Sequence, residues 1–149
     1  VVYAAAGSQL MKKKYILPGD IDVQRLWLLG EGHCLRNQAL HLCELKRQDH
    51  AGFQLDYAAG SIETLKKLVH MNEGITIIPE LALQDMPAEE LERIRYFKPP
   101  APVREISIVT YRHFVKEKLL EILKNSIAES LVNTGISTAL KGHQAIAIQ

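Results

Sequence analysis

The chain is short of cysteine, of aromatic residues, of long apolar runs and of net charge, and each shortage removes a class of function. Two cysteines in 149 residues are too few for the disulfide framework of a small secreted domain, and in a reducing compartment they stand as thiols. No uninterrupted apolar run approaches the roughly 20 residues that cross a bilayer. No basic and apolar leader ending in small residues opens the sequence, so the expectation is a cytoplasmic protein that does not enter a membrane. Eighteen basic residues against seventeen acidic ones give a formal net charge of +1, and nothing in the bulk electrostatics favours nucleic acid. What remains is one ordinary core's worth of chain, 47% apolar, with no room for several domains.

The order of elements predicts a parallel α/β sheet. Residues 1–5 have strand composition, and Leu26-Trp27-Leu28-Leu29 suits a buried strand stopped by Gly30-Glu31-Gly32. Leu35, Ala39, Leu42 and Leu45 then recur at helical spacing, which predicts a helix over 33–46 with one buried face. Residues 53–58 alternate as a half-buried strand does. Ser61 is the expected cap of the next helix, with Glu63 in its first turn and Ile62, Leu65, Leu68 and Val69 facing inward. Ile75-Thr76-Ile77-Ile78, ended by Pro79, reads as a strand covered on both faces.

Leu81 to Leu83 suit a helical turn and residues 93–97 a further strand. The run Pro99-Pro100-Ala101-Pro102 reads as a stiff connector that enters neither helix nor sheet. Residues 106–110 alternate as a strand, and 114–132 carry Val115, Leu119, Ile122, Leu123 and Leu131 on a helical face. Those two elements alone enclose no core, so their apolar faces imply a further layer. Residues 134–149 read as a small, polar tail.

The chemistry concentrates in Gly32-His33-Cys34-Leu35-Arg36-Asn37-Gln38-Ala39-Leu40-His41-Leu42-Cys43. Cys34 falls in the first turn of its helix, where unpaired backbone N–H groups and the dipole stabilise negative charge, and His33 and Arg36 add positive charge nearby. A thiol there is placed to act as a nucleophile. Cys43 lies eight residues after Leu35 on the same face, which predicts a buried thiol. Nine residues of helix put the two Cα atoms roughly 13 Å apart, whereas a disulfide needs less than about 7 Å. Any bond between them therefore requires the helix to unwind. A zinc site from His33, Cys34, His41 and Cys43 is disfavoured, because positions so far apart on one helix do not converge on a tetrahedral ion; no metal and no cofactor is expected. No base or orienting partner marks a cysteine hydrolase. From the residues alone, inert packing cysteines are the leading reading, ahead of a redox pair.

The string Gly32-His33-Cys34-Leu35-Arg36, then Gln38-Ala39 and Cys43, resembles the signature around the reactive and resolving cysteines of hydrogen-peroxide-sensing regulators in the LysR family. Ser61-Ile62-Glu63-Thr64-Leu65, Val69 and Gly74-Ile75-Thr76-Ile77-Ile78-Pro79 are similar to a helix and strand of LysR-type effector domains. The resemblance runs from about Tyr3 to Arg112 and more loosely to Val132; Asn37 and the long stretch between Cys43 and Ser61 depart from it.

It implies an α/β effector domain like a periplasmic-binding protein. One subdomain would occupy residues 1–105, carrying the cysteines, and residues 106–133 would be part of the other. It implies that peroxide oxidises Cys34, that Cys43 condenses with it to a disulfide, and that His33, Arg36 and Arg104 support the site, Arg104 helping to hold the thiolate. Ionisation of the thiol alone is too small an acceleration for fast sensing, so a donor to the departing hydroxide is expected as well, with Arg104 or the helix-start amides as candidates. It implies a regulator and not an enzyme, active as a homodimer or homotetramer. Such a regulator binds DNA through a domain outside this chain, acts with RNA polymerase on oxidative-stress genes, and is reset by a reductant such as glutaredoxin or thioredoxin. A LysR-type domain that binds a small organic effector, or a thiol-dependent peroxidase, are the alternatives.

Overall fold

The structure is a computed structural model that describes residues 1–31, 33–43, 59–104, 106–111, 115–133 and 144–145. It divides into two compact units, Val1–Arg104 with Gly142–Gln149, and Glu105–Lys141.

The first unit is built on a four-stranded sheet. Its strands are β1 (Val2–Ala4), β2 (Leu26–Trp27), β3 (Ile75–Ile77) and β4 (Ile94–Arg95), in the order β2-β3-β1-β4. β2 runs parallel to β3, but β1 is antiparallel to both its neighbours, β3 and β4. The sheet is therefore mixed, and the all-parallel expectation is corrected. The connection from β1 to β2 is not a helical crossover but loops and short 3₁₀ turns at Gln9–Lys12, Pro18–Asp20 and Val23–Arg25, so nothing obliges β1 to share the direction of the others.

Alternation along β1 divides the core in two. Val2 and Ala4 join Leu26, Ile75 and Ile77 in one cluster, whereas Tyr3 and Ala5 join Trp27, Leu65 and Val69 in the other. Side chains of a strand point to opposite faces in turn, and both faces here are covered. The second cluster is closed by α2 (Ile62–Asn72), whose cap is the expected Ser61, its Oγ accepting from the Thr64 amide at 3.2 Å. Leu65 and Val69 are buried, with Ile62 and Leu68 packed beside them. Phe97 bridges to Ile16 in place of a strand continued from β4. The expected turn after Pro79 is present as Glu80–Leu83, followed by the short α3 (Ala88–Leu91).

Two expectations near the prolines are revised. Pro102 does enter a strand, β5 (Pro102–Val103), paired in parallel with β6 (Gln144–Ala145). A two-stranded ribbon consists only of edges, where the missing N–H of proline is tolerated. Residues 106–110 form no strand, and Ile106 and Val109 are exposed. The second unit carries α4 (Glu117–Asn133), with Leu119, Ile122, Leu123 and Ile127 exposed along it. Among the described residues no helix is long and apolar enough to cross a membrane. The strand expected over 53–58 lies outside the described residues.

Candidate functional site: a helix with a free thiol at each end

β2 delivers the chain to the site. Leu29 forms a parallel bridge with Ala59, and the Gly30 amide donates to the Ala59 carbonyl at 3.0 Å. The chain then turns into α1 (Cys34–Leu42), shorter than the predicted 33–46, with His33 at its N-cap and Cys43 at its C-cap; residues 44–46 lie outside the described residues. His33 is exposed and its side chain makes no capping hydrogen bond.

Cys34 is the first residue of α1 and is exposed; Cys43 is partly buried; both are free thiols. Cys43 packs against the cluster of Val2 and Ile77, and burial pushes its thiol up to about 11. A thiol so placed is protonated at neutral pH and a poor nucleophile. Separated by nine positions along the helix, the two Cα atoms stand roughly 13 Å apart, beyond the reach of a disulfide in this conformation.

The supporting residues do not all gather at Cys34. Arg36 is half-buried and turns back to the end of β2, its Nη1 donating to the Leu29 carbonyl at 3.0 Å. Arg104 is exposed just after β5, and among the described residues no hydrogen bond or ion pair joins it to α1. No group of three or more metal-binding side chains occurs among the described residues.

The inward face of α1 differs in part from the predicted one. Leu35 packs on the Trp27 cluster, while Ala39, Leu42 and Cys43 pack on the Val2 cluster, so α1 contributes to both. At the centre of that face sits Gln38, 3% exposed, with both amide atoms buried and unpaired among the described residues. Sequence reasoning gave it no role. The available signal was its position, three residues after Leu35 and four before Leu42, where helical spacing calls for an apolar side chain.

Residues 1–131 match the family of the LysR substrate binding domain, and the chain belongs to that family. Among its members the chain is similar to hydrogen-peroxide regulators: it is 38% identical over 91 residues to the hydrogen peroxide-inducible genes activator of Haemophilus influenzae, a match covering 60% of this chain and 29% of that protein. It is also 32% identical over 123 residues to the HTH-type transcriptional regulator EstR of Acinetobacter baylyi, covering 73% of this chain and 37% of that protein. The crystal structure of OxyR from Porphyromonas gingivalis superposes with a TM-score of 0.77 at 30% identity, over 98% of this chain and 65% of that one. The chain thus spans about a third of the length of these curated relatives.

Proposed function

We propose that this chain is the regulatory part of a LysR-type transcription regulator that detects hydrogen peroxide through Cys34 and Cys43. The observation that carries the reading is the placement of one exposed thiol at the first residue of α1 and one half-buried thiol at its C-cap, in a chain similar to peroxide-inducible activators.

The exposed Cys34 sulfur attacks one oxygen of the peroxide. The O–O bond breaks, the sulfur becomes a sulfenic acid, and the other oxygen departs as hydroxide, which takes a proton and becomes water. The Cys43 thiol, raised to about 11 by its burial, does not compete for peroxide while α1 is intact. Once α1 unwinds, Cys43 reaches solvent and attacks the Cys34 sulfur, and the sulfenic oxygen leaves with the thiol proton as a second water. Two thiols and one peroxide yield one disulfide and two waters. Repacking of the unwound segment is the signal. A reductant of the glutaredoxin or thioredoxin type reverses it. DNA, RNA polymerase and a second or further copies of the chain are the partners of the complete regulator. Arg36 holds the turn before the thiol, and His33 and Arg104 are the remaining supporting groups.

The test is a thiol count with mass mapping after one equivalent of peroxide. The expected outcome is loss of both thiols with a Cys34–Cys43 linked peptide, and a trapped sulfenic acid at Cys34 in Cys43→Ser. Two unreacted thiols would instead support a LysR-type domain that binds a small organic effector. Arg104→Ala is expected to slow the oxidation by stabilising the departing hydroxide less well.

A further inference from the structure

Of the three polar or charged residues in the described core, two are accounted for. Thr76 Oγ1 donates to the Trp27 carbonyl at 2.9 Å, and Lys66 Nζ pairs with Glu90 and Glu63 at 2.7 and 3.0 Å. The third is Gln38, whose Oε1 and Nε2 have no partner among the described residues. A buried amide without a partner has given up its hydration for nothing, and it disfavours whichever conformation buries it. That conformation is the intact α1. A Gln38 that held the helix in place would need a hydrogen bond to do so, and among the described residues its side chain makes none.

We propose that Gln38 is a built-in destabiliser of the helix between the two cysteines, and that it sets the equilibrium between the dithiol and disulfide forms. Unwinding α1 returns the amide to water, so the disulfide form is relieved of a penalty that the dithiol form carries. The first half of the proposal, a helix loosened by its own buried amide, stands on the geometry alone. The second half rests on the peroxide-sensing reading. The sign is specific: an apolar side chain of similar volume at this position stabilises the dithiol form and makes the pair harder to oxidise.

The experiment compares the wild-type chain with Gln38→Met, a nearly volume-conserving change that removes the amide, and with Gln38→Leu as a second apolar variant. Amide hydrogen exchange is followed across α1 in the reduced proteins. The dithiol-to-disulfide ratio is then read in glutathione buffers, where one glutathione disulfide oxidises the pair and is released as two glutathione molecules. Exchange across α1 is expected to slow at least tenfold in the variants. The ratio at fixed poise is expected to rise about tenfold, a midpoint roughly 30 mV less negative. Exchange unchanged or faster in both variants overturns the proposal. Slower exchange with an unmoved ratio overturns the link to redox. A wild-type chain that forms no Cys34–Cys43 disulfide at any poise overturns the redox half together with the peroxide reading, and exchange then decides the helix half by itself.

Discussion

Arg36 Nη1 donates to the carbonyl oxygen of Leu29 at 3.0 Å, tying the first turn of α1 to the end of β2 across the turn that carries His33. A hydrogen bond from a charged donor at a half-buried position contributes about 1.5–3 kcal/mol. Arg36→Ala is therefore expected to lower stability by about 1–2 kcal/mol. It should also speed amide exchange at residues 33–35 relative to α2. Equal exchange at both places would mean that the tie does not hold this turn.

The burial that raises the Cys43 thiol to about 11 gives a pH test. At pH 8 a thiol of that pKa is ionised roughly a hundredfold less than an unperturbed one. Iodoacetamide should label Cys34 first and Cys43 slowly in the native reduced chain, and the difference should vanish in denaturant. The sign for stability follows. The folded thiol keeps its proton where the unfolded one has lost it, so this contribution is fully present below the unfolded pKa and is lost as pH rises toward about 11.

Lys66 joins α2 to the neighbourhood of α3 through Glu90 at 2.7 Å, while its second partner, Glu63, is 72% exposed. The exposed pair is screened and contributes little, but removing the partner of a buried charge is costly. Glu90→Gln is expected to destabilise by about 2–3 kcal/mol and Glu63→Gln by less than about 1 kcal/mol. Burial alone would depress the Lys66 pKa, but hydrogen bonds and charges from Glu90 and Glu63 outweigh it and the net direction is upward. The raised Lys66 pKa therefore marks a contribution that is fully present at neutral pH and is lost as pH rises through the alkaline range above the ordinary lysine pKa. Urea unfolding of the two variants distinguishes the contributions.

Gly74 leads into β3 beneath the Trp27 ring. A Cβ built there runs into Trp27 Nε1 and Cδ1 and comes within 2.9 Å of the Arg25 carbonyl oxygen. Neither the buried ring nor the backbone gives way cheaply, so Gly74→Ala should cost about 1–3 kcal/mol. Gly60→Ala, with nothing within 4 Å of the added carbon, should fall within about 0.5 kcal/mol of wild type. Thermal unfolding of the pair checks both.

What the sequence disclosed follows from which interactions are local. Ser61, Leu65 and Val69 could be placed because a cap and a helical stripe are written within one element. The direction of β1 could not, because Val2 takes its partners from Ile77 and Arg95, and alternation within a strand does not report its neighbour's direction. The strand expected over 106–110 is not formed, for the same reason: alternation within a segment does not report whether a neighbouring strand pairs with it. At the site, the two cysteines and the start of α1 are legible in the sequence, whereas Cys43, expected to be buried, is only partly so. Gln38 was passed over because an amide in an apolar stripe counts as noise in a periodicity until its burial is seen.

The position of β1 has a consequence for how the chain reaches its fold. Val2 to Ala4 is only three residues long, yet it lies between β3 and β4, with register partners at Ile75 to Ile77 and at Ile94 and Arg95. During synthesis the segment leaves the ribosome long before either of these strand neighbours exists. Contacts of such sequence separation form slowly, and unpaired strand edges favour aggregation meanwhile. The nascent chain is therefore expected to need shielding by chaperones until residue 95 has emerged, and truncations ending before β4 should remain unfolded even though they contain both cysteines and the whole of α1.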